Sequence, residues 1–406
     1  MSLRTRSLLV VSLLASSLVA GSAVSEVSAE AEPFTFGMIL VGPRDDHGWS
    51  QAHYEAGLYL EEQIGAEMIV VDSVNPADKP ETSVEQVVDD MVDQGAQLVF
   101  ATSDDMRDGI LAAAEAHPDV PMIWASGDSA WPDGANYRED LTNLGNIMGQ
   151  MEYGKALAGC AAAMESETGH LAYLGPLVND ETRRLANAAF LGARHCWTEV
   201  RGEDAALTFE VTFIGFWFNI PGVTLDPTQV TNSFFNGGAD VVISGIDTTE
   251  ALVVSRQRAA NGEYVRAVPY DFVGACAEAE DVCLGVPYFN WGPSYLETAQ
   301  SVIDGSFEAT WQWLPPDWDD INNPETTAVG FVAGEALSEE GAAAVDEYTQ
   351  VLAEGGFGVL FVGPLNFQDG SEFLAEGETA TESQVWYMPE LLEGMAGEAE
   401  EEEVAE

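Results

Sequence analysis

Phe34-Thr35-Phe36-Gly37-Met38-Ile39-Leu40-Val41 runs directly into Gly42-Pro43-Arg44-Asp45-Asp46-His47-Gly48-Trp49-Ser50-Gln51-Ala52-His53. An apolar, β-rich segment gives way within a few residues to a helical pattern that continues to about residue 64. Gly42 and Gly48 permit a tight backbone at the junction, and Ser50 is placed to cap the helix. In an open α/β sheet, ligands lie in the crevice outside the carboxyl ends of the strands. Asp46, His47 and Trp49 therefore stand where a bound molecule would be met. Two readings of Trp49 stay open: a platform on which a ring stacks, or a side chain packed on its neighbouring helix. His47 is similarly a ligand contact or simply a hydrogen-bonded residue.

Outward from this junction the same alternation repeats. Strands are expected at 34–41, 67–72, 97–101, 122–125, 170–175, 207–213, 239–244 and 266–270, with helices near 50–64, 82–94, 106–116, 149–165, 181–197, 227–236 and 248–261. Strand–helix alternation of this kind builds parallel sheets covered on both faces. A Gly-, Asn- and Asp-rich break at 128–148 divides it, so the fold class is α/β with two doubly wound, Rossmann-like lobes. Past residue 285 the rhythm changes. Asn290-Trp291-Gly292-Pro293 starts a helix, 311–318 reads as an aromatic loop, and 326–332 and 338–353 read as a strand and a helix.

The chain has 406 residues, 46% of them hydrophobic and 10% aromatic, enough for more than one core. Asp and Glu number 69 against 14 Lys and Arg, a net charge of −55, and Lys79 and Lys155 are the only lysines. No basic stripe offsets this field, which excludes nucleic acid as a partner and disfavours anionic membrane surfaces. Arg4 and Arg6, the apolar run 7–20 and small residues ending at Ala29 read as an export signal over 1–29. No cysteine precedes Cys160, so a lipid-anchoring cysteine at the cleavage site is absent, and a periplasmic or extracellular location is expected. Cys160, Cys196, Cys276 and Cys283 are either paired or free buried thiols; their spacing is no metal signature. The acidic end, 395–406, reads as a solvated tail.

Polar and aromatic residues recur where later strands end: Ser103 and Asp108 after the third, Trp217 after 207–213, Asp247 after 239–244, and Asp271 after 266–270. Repetition in both halves predicts a polar cleft with aromatic walls between lobes. Any single aspartate among them is also explained by helix capping or exposure. No Gly-x-Ser-x-Gly elbow, metal-binding His pair or Gly-rich phosphate loop occurs, and His47 and His53 are six apart rather than four. Neither catalysis nor a metal or cofactor is expected.

In order along the chain, Val41-Gly42-Pro43, Asp46-His47-Gly48-Trp49-Ser50, Gln94-Gly95-Ala96, Phe100-Ala101-Thr102-Ser103, Arg184 with Asn187-Ala188, Leu191-Gly192-Ala193-Arg194, Tyr270-Asp271, Asn290-Trp291-Gly292-Pro293 and Gly363-Pro364 with Gln368-Asp369-Gly370 form a series. This series resembles the basic membrane protein (BMP) family of ABC-transporter substrate-binding proteins, over roughly 34–394. The resemblance implies a type I periplasmic-binding fold, with lobe one formed by 34–145 plus about 288–325, lobe two by 146–287 plus about 326–394, and crossing strands as the hinge. It implies capture of a purine base, adenine-like, or a nucleoside, delivery to an ABC permease, and a monomer. Trp49 and Trp217 match the family's stacking aromatics, Asp108 an acidic position, and Asp271 the first aspartate of a strand-end motif; Asn290 and Trp291 complete the candidate set. Ser103-Asp104-Asp105 replaces the Ser-Phe-Gly found in many members, the ribose-facing lysine has no counterpart in Tyr288-Phe289-Asn290, and Val273 stands at the second aspartate. These departures favour a base over a nucleoside. The other reading is a sensor of the same fold signalling to a membrane receptor; neighbouring permease genes would favour transport, and a neighbouring receptor kinase would favour sensing.

Overall fold

Met38 and Ile39 are fully buried, and their strand lies inside a parallel sheet where every backbone amide finds a partner. The computed structural model describes residues 33–397. The expected export segment and residues 398–406 of the expected tail lie outside the described residues. In chain order the main elements are β1 (Thr35–Ile39), α1 (Trp49–Ile64), β2 (Glu67–Val71), α2 (Val84–Asp93), β3 (Leu98–Ala101), α3 (Arg107–Ala116), β4 (Met122–Ala125) and β5 (Leu144–Gly149). There follow α4 (Met151–Glu165), β6 (His170–Gly175), α5 (Asp180–His195), β7 (Thr208–Phe213), α6 (Pro227–Gly237), β8 (Val241–Ser244), α7 (Glu250–Ala259) and β9 (Arg266–Val268). The last are β10 (Gly285–Phe289), α8 (Gly292–Ile303), β11 (Trp311–Leu314), β12 (Val329–Ala333) and α9 (Glu339–Gly355).

One sheet has the order β11-β5-β4-β3-β1-β2 and is parallel throughout. The second has the short strand Met395–Ala396, then β7-β6-β8-β9, also parallel. The last described residues thus belong to a sheet, and Met395 is buried, rather than starting the solvated tail expected from 395. The chain passes between the sheets from β5 into α4, from β10 into α8, and from β11 to β12, while β10 and β12 pair antiparallel. These passages are packed tightly: a Cβ on Gly149 would sit 2.6 Å from Val329 and 3.0 Å from Phe289.

The expected strands and helices before residue 270 all form. The structure adds β5 and β10, which were not expected, and turns the start of the expected aromatic loop into β11. β5 carries the polar Asn146, and its side chain is satisfied by residues distant in the chain, donating to Trp124 O and accepting from Ala130 N at 2.7 Å. In β11, Trp311 and Trp313 alternate with Gln312, and Trp131 stacks on Trp311 at 4.2 Å. All four cysteines are paired: Cys160–Cys196 ties α4 to the end of α5, and Cys276–Cys283 closes the loop after β9.

Candidate functional site

Carboxyl ends of strands from both sheets open onto one narrow, nearly filled cavity of about 20 Å³. Lobe one contributes Val41 and Trp49 beyond β1, Ser103 and Asp104 beyond β3, and Ser126 beyond β4. Lobe two contributes Tyr173 and Pro176 at the end of β6, Glu181, Thr182 and Leu185 from α5, Trp217 beyond β7, Asp247 beyond β8 and Tyr270 beyond β9. The lobes touch around it. The indole N–H of Trp217 donates to Asp105 of lobe one at 3.0 Å, and His47 Nε2 lies 3.7 Å from Glu278. A Cβ on Gly48 would fall 1.7 Å from the carbonyl oxygen of Asp247, so only glycine allows that backbone approach.

Trp49 opens α1 and is buried. Its indole donates to Thr102 O at 2.5 Å, and Phe289 and Trp291 meet it edge-on at 5.2 and 5.4 Å. It therefore packs on its neighbours and also lines the cavity, so the two sequence readings are not exclusive. Behind it Trp291 stacks on His53 at 4.3 Å and contributes support instead of cavity lining. The loop that carries Trp49 is held by Asp46, whose carboxylate accepts from the amides of Gly48, Ser50 and Gln51, each at 2.9 Å. Asp46 and not Ser50 caps α1, because the Ser50 hydroxyl turns back to accept from Gly42 N at 2.9 Å.

Ser103, Trp217 and Asp247 also line the cavity, as the strand-end rule expects. Asp108 does not: it lies on the exposed face of α3 and pairs with Arg107. Asn290 lies outside as well, its amide bracing Pro324 O and Thr327 O at 2.9 Å. His47 sits half-exposed at the rim with a left-handed backbone, φ 59°. Asp271 is fully buried behind the lining, with φ 71° and neither carboxyl oxygen hydrogen bonded. Near it Lys155 donates to Ser244 O at 2.6 Å and lies 3.1 Å from the centre of the Tyr270 ring.

Two acids that the sequence reading did not single out as ligand contacts, Asp104 and Glu181, line the cavity. Glu181 follows the end of β6, and the strand-end rule applied to that strand would have found it. Burial pushes Asp104 up to about 6, with Asp105 adding to the effect, and pushes Glu181 up to about 7 against the pull of Arg184. Burial likewise raises Asp247 and Asp271 well above the usual carboxylate range, each lifted further by neighbouring acids, while Lys155 opposes the shift at Asp271. Burial drives Lys155 well below the ordinary lysine value. Among the described residues no cluster suited to a metal ion occurs.

Two parallel-sheet lobes joined by three passages share this cavity. The family model of PnrA-like ABC transporter substrate-binding proteins matches residues 34–196. A purine-binding protein of Brucella abortus is similar at 25% identity over 93% of this chain and 97% of its own length. A Haloferax volcanii protein, provisionally named as an ABC transporter glucose-binding protein, is 27% identical over 70% of this chain and 65% of its own. Among solved structures, an ABC transporter solute-binding protein from Aeropyrum pernix matches with TM-score 0.64 and 13% identity, covering 89% of this chain and all of that one. One from Conexibacter woesei matches with TM-score 0.58 and 17% identity, covering 79% and 96%. The fold is thus the type I solute-binding fold. The matching family is one of ABC transporter substrate-binding proteins. Among the described residues no helix is long and apolar enough to cross a membrane.

Proposed function

We propose that the interlobe cavity captures a purine, binding the free base at least as well as its nucleoside, for delivery to an ABC permease. The observation that carries this reading is the pairing of Trp49 and Trp217, from opposite lobes, on one narrow cavity with a mainly aromatic and aliphatic wall. Flat heterocycles gain from such faces: an aromatic contact contributes roughly 0.5–1.5 kcal/mol beyond area burial. The polar lining is short, namely Ser103, Asp104, Ser126, Glu181, Thr182 and Asp247, which suits the edges of a base. A ribose would bring further hydroxyls, each costing roughly 1–3 kcal/mol if buried unpaired. The purine-binding Brucella relative, similar along nearly the whole chain, supports the same ligand class.

Calorimetry with adenine, guanine, adenosine, guanosine and glucose tests the proposal. The bases should bind, and the nucleosides should bind no tighter. Glucose binding tighter than every purine would replace the ligand class, and nucleosides binding more than tenfold tighter than their bases would reverse the preference for the base. Mass spectrometry of ligand retained through mild purification gives an independent answer.

A further inference from the structure

We propose that Asp104 of lobe one, with Glu181 and Asp247 of lobe two, forms an acceptor-only clasp that closes on ligands presenting hydrogen-bond donors or positive charge. The proposal rests on the reading of this cavity as the capture site and names what the site selects. The three acids line the same void from opposite sides. Asp247 is 4% exposed, and its carboxylate accepts no hydrogen bond from any described group. Glu181 is 9% exposed, and among the described residues its side chain has Arg184, at 3.9 Å, as an ion partner. No lysine, arginine or histidine lines the cavity. A buried carboxylate without donors costs several kcal/mol. In the closed cavity these acids must therefore either hold protons or receive donors from what is bound.

The surroundings supply that compensation only in part. Asp104 faces Asp105, Arg107, Asp128 and Arg184. Glu181 faces Arg184, Asp104 and Glu152; Arg184 Nε is committed to Glu152 at 2.6 Å, and its Nη2, 3.9 Å from Glu181, is too far for a hydrogen bond. Asp247 faces Asp271, Asp46, Glu181 and Asp105, all of the same sign. Lys155 faces Asp271 rather than Asp247 and donates to Ser244 O. With the acids ionised, closing an empty cavity brings like charges together in a medium of low dielectric. A purine whose edge carries an amino group and a ring N–H gives these acids donors and removes the penalty. A purine anion such as urate adds to it.

Two measurements on the full chain, stripped of ligand, test the clasp. In small-angle scattering at matched ionic strength, the wild type should be more compact at pH 5 than at pH 8. The D104N/E181Q double variant, which keeps side-chain shape, should be equally compact at both. Wild-type curves identical at the two pH values overturn the clasp, whatever the protein binds. In calorimetry at pH 8, adenine and guanine should lose at least tenfold in affinity on E181Q, while urate should fail to bind the wild type and should bind the double variant. Unchanged affinity in E181Q for a purine that the wild type binds overturns the clasp. If no purine binds the wild type while the pH-dependent compaction is present and absent from the double variant, the clasp stands and the purine reading falls.

Discussion

Trp49 holds two roles in one side chain, and the roles predict different losses. Its indole N–H anchors the α1 loop to Thr102 O, and the same side chain lines the cavity. Trp49→Ala should weaken the bound purine by at least the stacking share, roughly 2- to 10-fold, corresponding to roughly 0.5–1.5 kcal/mol; calorimetry reads this directly, and unchanged affinity would remove Trp49 from the site. Asp46 was expected as a ligand contact, yet it spends its carboxylate on three backbone amides. Asp46→Ala should therefore cost about 1 kcal/mol of stability, the usual worth of a cap, seen as a lowered urea midpoint. Asp104 and Glu181 make a further statement about pH. Their folded values, about 6 and about 7, lie above the ordinary carboxylate range, so the folded state holds protons there that the unfolded chain has released. Their contribution is most favourable below about pH 4, declines as pH rises through the folded values, and is flat above them. Urea unfolding of wild type and D104N/E181Q at pH 5 and pH 8 checks the sign: the wild type should gain more, relative to the variant, at pH 5.

At the scale of elements, α4, α5 and the C-terminal segment are joined by one buried charge pair. Arg184 meets Glu152 at 2.6 Å, donates to Trp386 O at 3.2 Å and lies 4.5 Å from the Trp386 ring. Glu152→Gln would leave the buried guanidinium with only the longer Glu181 contact at 3.9 Å, and losing one partner of a buried pair costs up to roughly 3–5 kcal/mol. Equilibrium denaturation of the variant should show a loss of that size, and a loss under about 1 kcal/mol would mean that the pair contributes little. Much of the fold around this pair was legible in the chain, because long runs such as those forming β1 and β6 are apolar and bounded by turn residues. β5 was not, since Leu144-Gly145-Asn146-Ile147-Met148-Gly149 mixes two glycines with a buried asparagine whose partners come from distant residues. β11 was hidden by its four-residue length and by Pro315-Pro316 immediately after it. The site shows the same division. Trp49, Ser103, Trp217 and Asp247 follow from standing at strand ends. That Asp108 turns to solvent while Asp104, on the short turn before α3, enters the cavity depends on helix phase, which residue type does not reveal. Cysteine pairing was equally beyond reach of spacing, since α4 and α5 must first pack before Cys160 and Cys196 can meet.

Over the whole molecule the dominant electrostatic fact is the net charge of −55. Exposed acids such as Asp140 find an arginine, but with 14 basic residues against 69 acidic ones most carboxylates face only one another. Folding gathers that charge into a smaller volume, so repulsion opposes both the compact state and the approach of the two lobes. Salt screens it: the Debye length is about 10 Å at 0.1 M and about 3 Å at 1 M, shorter than the spacing between most surface charges in the second case. The melting temperature should therefore rise with sodium chloride. Screening and salting-out can be separated by the shape of the rise. Screening changes fastest at low ionic strength, so the steepest increase should come below about 0.5 M, with a gentler slope beyond, where exclusion of salt from the surface continues to favour burial. A charge-neutral osmolyte such as sucrose should reproduce the gentle slope and not the steep one. A melting temperature flat from low salt to molar sodium chloride would mean that the acids are spaced widely enough for water alone to tolerate them, and the charge would then bear on partner choice rather than on stability.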